Sequence, residues 1–114
     1  MDATQMILLY DYYGELLTKR QRECFELRYN QDLSLAEIGE ELGISRQGVH
    51  DNLSRTEAQL QRMEEKTGCE RRDMQCRLAA RQVQKAARQL SAYDDKAVAD
   101  LAQQILNAVA GLEE

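Results

Sequence analysis

An all-α fold is predicted for this chain of 114 residues by three observations. Proline is absent, so no position inside a helix lacks its backbone donor. Aromatic residues are 5% of the chain and β-branched residues are sparse, which leaves little material for a sheet. Apolar residues, 43% of the whole, recur three and four positions apart, the spacing of one helix face. The length suits one domain, or a small domain with an appendage.

The first helix is expected from about Thr4 to Leu17, with Met6, Leu9, Tyr10, Tyr13, Leu16 and Leu17 on its inner stripe. Tyr12 is the tyrosine most displaced from that stripe. Thr18 with Gln21 three residues on forms a capping box, opening a second helix that runs to about Tyr29. Asn30-Gln31-Asp32 is a polar turn. Ser34 and Glu37 form the next capping box, and Leu35, Ile38 and Leu42 face inward. Gly39 is read as a place for another helix to approach closely. Gly43 ends that helix in the left-handed conformation, Ile44 plugs the core, and Ser45 caps a fourth helix almost at once. Val49, Leu53, Leu60 and Met63 are its inward positions, and Gly68 stops it. A helix, a short glycine turn and a second helix starting at Ser45 make a helix-turn-helix.

A fifth helix is expected over residues 70–91. Cys76, Ala79, Val83, Ala86, Ala87 and Leu90 lie on its apolar side, and Arg77, Arg81, Lys85 and Arg88 form a basic stripe. Asp94 or Asp95 caps a sixth helix that Gly111 ends; Val98, Leu101, Ile105, Ala108 and Leu112 form a seam suited to a neighbour. The expected organisation is a helix-turn-helix domain over 1–68 and a helical extension over 69–114 that buries its seam on a second copy, giving a homodimer.

Net charge is −5, so the chain is a poor non-specific nucleic-acid binder, and any such contact needs a local basic surface. No uncharged run is long enough for a membrane span, and no signal or transit peptide fits. Cys24, Cys69 and Cys76 cannot all pair within the chain; reduced thiols and a cytoplasmic location are the expectation. Cys69 and Cys76 are read as small buried hydrophobes rather than zinc ligands. Without a glycine-rich phosphate loop, a histidine cluster or a nucleophile elbow, the sequence suggests no enzyme, cofactor or metal.

From Leu17 to Arg55 the chain resembles the fourth region of bacterial sigma factors, so the all-α fold is expected to be a sigma-region-4-like helix-turn-helix bundle. The resemblance rests on Leu17-Thr18, Gln21-Arg22, Leu27-Arg28-Tyr29, Leu33-Ser34-Leu35, Glu37-Ile38-Gly39, Leu42-Gly43-Ile44-Ser45-Arg46 and Val49. One departure stands out: after Val49 the next apolar residue is Leu53, whereas sigma factors place one at the position of Asn52. The chain also resembles the YlxM family of small helix-turn-helix proteins. The runs Asp32-Leu33-Ser34-Leu35-Ala36-Glu37-Ile38 and Ser45-Arg46-Gln47-Gly48-Val49-His50-Asp51-Asn52-Leu53-Ser54-Arg55-Thr56-Glu57 carry it, with Tyr12-Tyr13 ahead of Leu16-Leu17-Thr18. YlxM-like genes stand beside those of the signal recognition particle GTPase and its receptor. The resemblance therefore implies a regulatory part in that protein-targeting pathway, with the particle's RNA or its GTPases as partners.

The fourth helix offers Arg46, Gln47, His50, Asp51, Ser54 and Arg55 away from its apolar stripe. In a DNA-reading helix-turn-helix these first turns enter the major groove. Arg46 could read guanine, Gln47 adenine, and Arg55 could meet phosphate. His50 is a surface or base-contact residue, and Asp51 repels phosphate. The competing reading is a solvated face. Arg77, Arg81, Lys85 and Arg88 could likewise grip RNA phosphates or an acidic protein, but pairing with Asp94, Asp95 and Asp100 is favoured. Two function classes follow: an adaptor of the targeting pathway, and a DNA-binding transcriptional regulator.

Overall fold

The computed structural model describes residues 2–112. Its helices are α1 (Ala3–Tyr13), α2 (Lys19–Tyr29), α3 (Leu35–Leu42), α4 (Arg46–Thr67), α5 (Cys69–Ser91) and α6 (Lys96–Ala110), with a 3₁₀ turn over Gly14–Leu16. The fold is all-α, with no strand among the described residues. Two compact units divide the chain, Met1–Glu70 and Arg71–Glu114.

In the first unit α4 packs against α1, α2 and α3. Short polar residues start each helix there. Asp2 caps α1, Thr18 caps α2, and Ser34 caps α3, each accepting the amide three residues on while a Gln or Glu side chain returns to the cap. Ser45 caps α4 through Gly48 N at 3.0 Å. Each such cap contributes about 1 kcal/mol by satisfying an otherwise orphaned amide. Asn30-Gln31-Asp32 forms the expected turn, with Asp32 at φ 57.

Two apolar clusters fill this unit. Met6, Leu9, Tyr13, Leu17, Phe25 and Leu60 form one, and Cys24, Ile38, Val49 and Leu53 the other. Burying a side chain such as Phe25 or Ile38 is worth about 1.5–3 kcal/mol. Phe25 stacks between Tyr10 and Tyr29, with ring centroids 4.2 Å apart on each side. Tyr10 and Tyr29 reach past it to hydrogen-bond Glu26 (2.9 Å) and Glu57 (2.7 Å). Thr56 sits fully buried on α4 between Leu53 and Leu60, and its Oγ1 has no hydrogen-bond partner among the described residues.

Several expectations need correction in this unit. α1 ends at Tyr13, not Leu17. A Cβ at Gly14 would sit 3.3 Å from the Tyr10 ring, so the backbone there lies close over that ring before tightening into the 3₁₀ turn. A 3₁₀ turn advances each residue by about 120° rather than 100°, which swings Leu16 off the inner stripe. Leu16 is 68% exposed, whereas Leu17, in extended backbone, is buried. Gly39 makes room for the turn and the start of α4 together, since a Cβ there would lie 2.7 Å from the Ile44 carbonyl oxygen and 3.5 Å from Arg46 N. Ile44 is half-buried against its cluster rather than sealed.

The second unit holds most of α5, and α6. The shielded positions of α5 are Ala80 and Ala87, a heptad apart, with Met74, Arg77 and Gln84 half-buried. Only Ala87 belongs to the expected apolar side; Cys76, Ala79, Val83, Ala86 and Leu90 are exposed. On α6 Ala102 and Val109 are shielded, Val98 is half-buried, and Leu101, Ile105 and Ala108 stay open, as does Leu112 beyond the helix. The shielded line therefore runs through Ala80 and Ala87 on α5 and Ala102 and Val109 on α6, beside the expected stripe and not along it. Cys76 is exposed and Cys69 half-buried, which corrects their reading as buried hydrophobes. Asp95 caps α6 through Ala97 N and Val98 N.

Candidate nucleic-acid interface

The helix-turn-helix is made by three residues in sequence. Gly43 takes φ 71, where L side chains are strained, and terminates α3. Ile44 N then donates back to Gly39 O at 3.0 Å, closing the corner. Ser45 starts α4 immediately beyond.

This corner orients α4. Val49, Leu53, Thr56 and Leu60 point into the unit. Arg46, Gln47, His50, Asp51, Ser54 and Arg55 are exposed on other flanks. Along this face Gln47 Nε2 donates to Asp51 Oδ1 at 2.9 Å, and His50 Nδ1 lies 3.6 Å from the same oxygen. Asp51 therefore does more than repel phosphate: it holds the amide nitrogen of Gln47, whose oxygen takes no part in that bond. Arg46 and Arg55 form no ion pair among the described residues. The amino-terminal dipole of α4 adds positive potential beside Arg46. Together these groups offer two cations, an oriented amide and a hydroxyl to an anionic polymer.

The α5 cations are arranged differently from expectation. Arg81, Lys85 and Arg88 are exposed, while Arg77 is half-buried. None of the four pairs with Asp94, Asp95 or Asp100 among the described residues, so the favoured pairing does not form. The Asp95 carboxylate is spent on the α6 cap.

Sequence reasoning missed the flank of α4 next to the outward face. There Thr18, Gln21, Gly48, Asn52, Arg55 and Gln59 line a groove of about 390 Å³. Gln21 Nε2 donates to Gln59 Oε1 at 3.0 Å across it. Asn52 Oδ1 is shielded from solvent and has no partner among the described residues. Asn52 is the departure from the sigma-factor pattern, a polar residue where an apolar one is expected; that was the available signal.

Burial and hydrogen bonding shift the acidities of four groups in this unit. Burial pushes the Tyr10 and Tyr29 phenols up to about 12, helped by their hydrogen bonds to Glu26 and Glu57. Burial also raises the Cys24 thiol. The amide and hydroxyl of Ser34 hold the Glu37 carboxyl below the usual carboxylate range. No group of three His, Cys, Asp or Glu residues fit to hold a metal occurs among the described residues, and no helix among them is long and apolar enough to cross a membrane.

Comparison with known proteins agrees with this architecture. The family described as "UPF0122: Putative helix-turn-helix protein, YlxM / p13 like" matches residues 1–96. A UPF0122 protein of Thermoanaerobacter sp. (strain X514) is 56% identical over 71 residues, covering 62% of this chain and 61% of that one. One from Acetivibrio thermocellus is 62% identical over 61 residues, 54% of this chain and 52% of that one. One from Bacillus cereus (strain AH187) is 53% identical over 64 residues, 56% and 58% of the two chains. The matched stretches thus span between 52% and 61% of these relatives' own lengths.

Proposed function

The chain belongs to the UPF0122 family of YlxM/p13-like helix-turn-helix proteins, and from that premise we propose that it is a regulatory protein that binds nucleic acid through the first turns of α4. Arg46 and Gln47 meet base edges, Arg55 meets phosphate, and His50 and Ser54 fill the contact between them. One observation carries the reading. The corner at Gly43 and Ser45 turns this whole row outward, while the opposite side of α4 is sealed in the core.

The resemblance to YlxM proteins favours the signal recognition particle pathway as the setting, with the particle's RNA or GTPases as partners. The net charge of −5 and Asp51 weigh against tight binding to bulk DNA, which favours this reading over a transcriptional regulator. Exposed Arg81, Lys85 and Arg88 offer a second anion-binding surface in the other unit. The open seam of Leu101, Ile105 and Leu112 is assigned to a second copy of the chain, which would double both surfaces.

The test is affinity measured against salt for DNA duplexes and for signal recognition particle RNA. Binding should fall linearly on logarithmic axes, and Arg55→Ala should reduce that slope by about one phosphate. Preference for the RNA supports the targeting pathway, and preference for a DNA site supports the transcriptional alternative. A protein with no salt-dependent affinity for either polymer would overturn the nucleic-acid role.

A further inference from the structure

The groove beside α4 takes no part in the reading above, yet it shares Arg55 with the outward face. Its walls come from the start of α2 and one flank of α4. The lining is polar except for Leu16, which is exposed, and it contains no carboxylate.

Its hydrogen bonding is unbalanced. Gln21 is engaged at both ends: its oxygen takes the Thr18 amide at 3.0 Å and its nitrogen donates to Gln59. Gln59 contributes only its oxygen, so its Nε2 has no partner among the described residues. Asn52 Oδ1 is shielded and unbonded. Shielded acceptors without partners are rare in folded chains, because they lose water and gain nothing. Packing alone holds this carboxamide, and rotation about its last torsion exchanges its donor and acceptor ends. Arg55, uncommitted to any carboxylate, stands at the side shared with the outward face.

We propose that this groove receives one unpaired nucleotide of a single-stranded nucleic acid. Asn52, once its side chain turns the shielded oxygen into the groove, and Gln59 take the base edge, Arg55 takes the phosphate, and Leu16 covers the base face. Three observations favour this occupant. Asparagine and glutamine present a donor and an acceptor side by side, as a base edge does. Unpaired bases splayed from a strand are read by such edges. A volume of about 390 Å³ lies within the range of small-ligand sites, roughly 300–1,000 Å³. An extended peptide would want an open strand edge or several apolar pockets, and this groove has one apolar residue. The proposal rests on the nucleic-acid role of α4 and narrows it: the preferred ligand has a single-stranded segment beside its duplex.

The experiment uses the full chain with three probes: a short adenine-rich single-stranded RNA, a duplex of the same composition, and an acidic peptide with a free carboxyl terminus. Binding is read by fluorescence anisotropy and by the side-chain amide signals of Asn52 and Gln59 in nuclear magnetic resonance. Asn52→Leu and Gln59→Met are compared with the parent, with circular dichroism confirming that each folds; Gln59→Met lies far enough from the corner to report if Asn52→Leu does not. Each variant should weaken single-strand binding by about tenfold, the weight of one good base contact, and leave duplex binding unchanged. The two amide signals should move with the single strand and stay still with the peptide. Unchanged single-strand affinity in both variants, or amide signals that respond to the peptide alone, overturns the proposal. If the duplex binds and the single strand does not, the groove assignment fails while the role of α4 stands. If neither polymer binds, both fall together.

Discussion

Replacing Gly39 by alanine sets two effects of opposite sign against each other. Inside an exposed helix, alanine is favoured over glycine by about 0.5–1 kcal/mol because it has less backbone freedom to lose. In α3 the new methyl would lie 2.7 Å from the Ile44 carbonyl oxygen, where carbon and oxygen need about 3.3 Å. The obstacle is backbone, not the end of a flexible side chain, so the corner between α3 and α4 must open by roughly half an ångström. Overpacking of this kind costs about 1–3 kcal/mol, so the steric effect wins. The hydrogen bond from Ile44 N to Gly39 O spans the same gap and lengthens with it. The expected net loss is about 1 kcal/mol, which lowers Tm by about 4–8 °C in a unit of this size. Nucleic-acid affinity should fall as well, because α4 leaves its angle. Gly111→Ala, with open space around the added carbon and an ordinary φ, is the control and should change little. Calorimetry and anisotropy on the two variants decide the matter. A Gly39→Ala protein as stable as its parent would refute the steric account of the turn.

Four further outcomes are expected. Thr56→Val keeps the branched shape and removes a buried hydroxyl with no partner, so it should stabilise by about 1 kcal/mol in urea unfolding; a loss of stability would show that the hydroxyl is satisfied after all. Tyr10 and Tyr29 have folded pKa values of about 12 against about 10 unfolded, so their contribution is complete below pH 10 and disappears as pH rises through about 12. Tyrosinate absorbance should show two late transitions, and Tyr29→Phe should remove one of them. Asp51→Ala deletes a negative charge from the proposed interface and frees Gln47, so affinity for nucleic acid should rise; an unchanged or lower affinity would mean that the Gln47–Asp51 bond is itself required. Leu101→Asp combined with Ile105→Asp should abolish self-association in sedimentation, and a parent protein that is monomeric at every concentration would withdraw the second copy from the account.

Much of this molecule was readable as text because its decisive interactions are short in sequence. Thr18 and Gln21, Ser34 and Glu37, and Ser45 and Gly48 are three apart, so each cap needs nothing from elsewhere in the chain. Gly43 and Gly68 end helices for an equally local reason, positive φ. The helices of the described residues, the corner and the outward row of α4 follow from these signals and from apolar spacing. Tertiary structure alone decided which way less marked faces turned. Leu16 left the stripe because the chain tightens into a 3₁₀ turn at Gly14, a change of helix type that apolar spacing alone does not mark. Ala80 and Ala87 are the shielded positions of α5, although the apolar spacing of the sequence pointed to Cys76, Val83 and Leu90. The groove at Asn52 depends on Gln21 meeting Gln59 across 38 residues of sequence, and no local rule could bring those two side chains together.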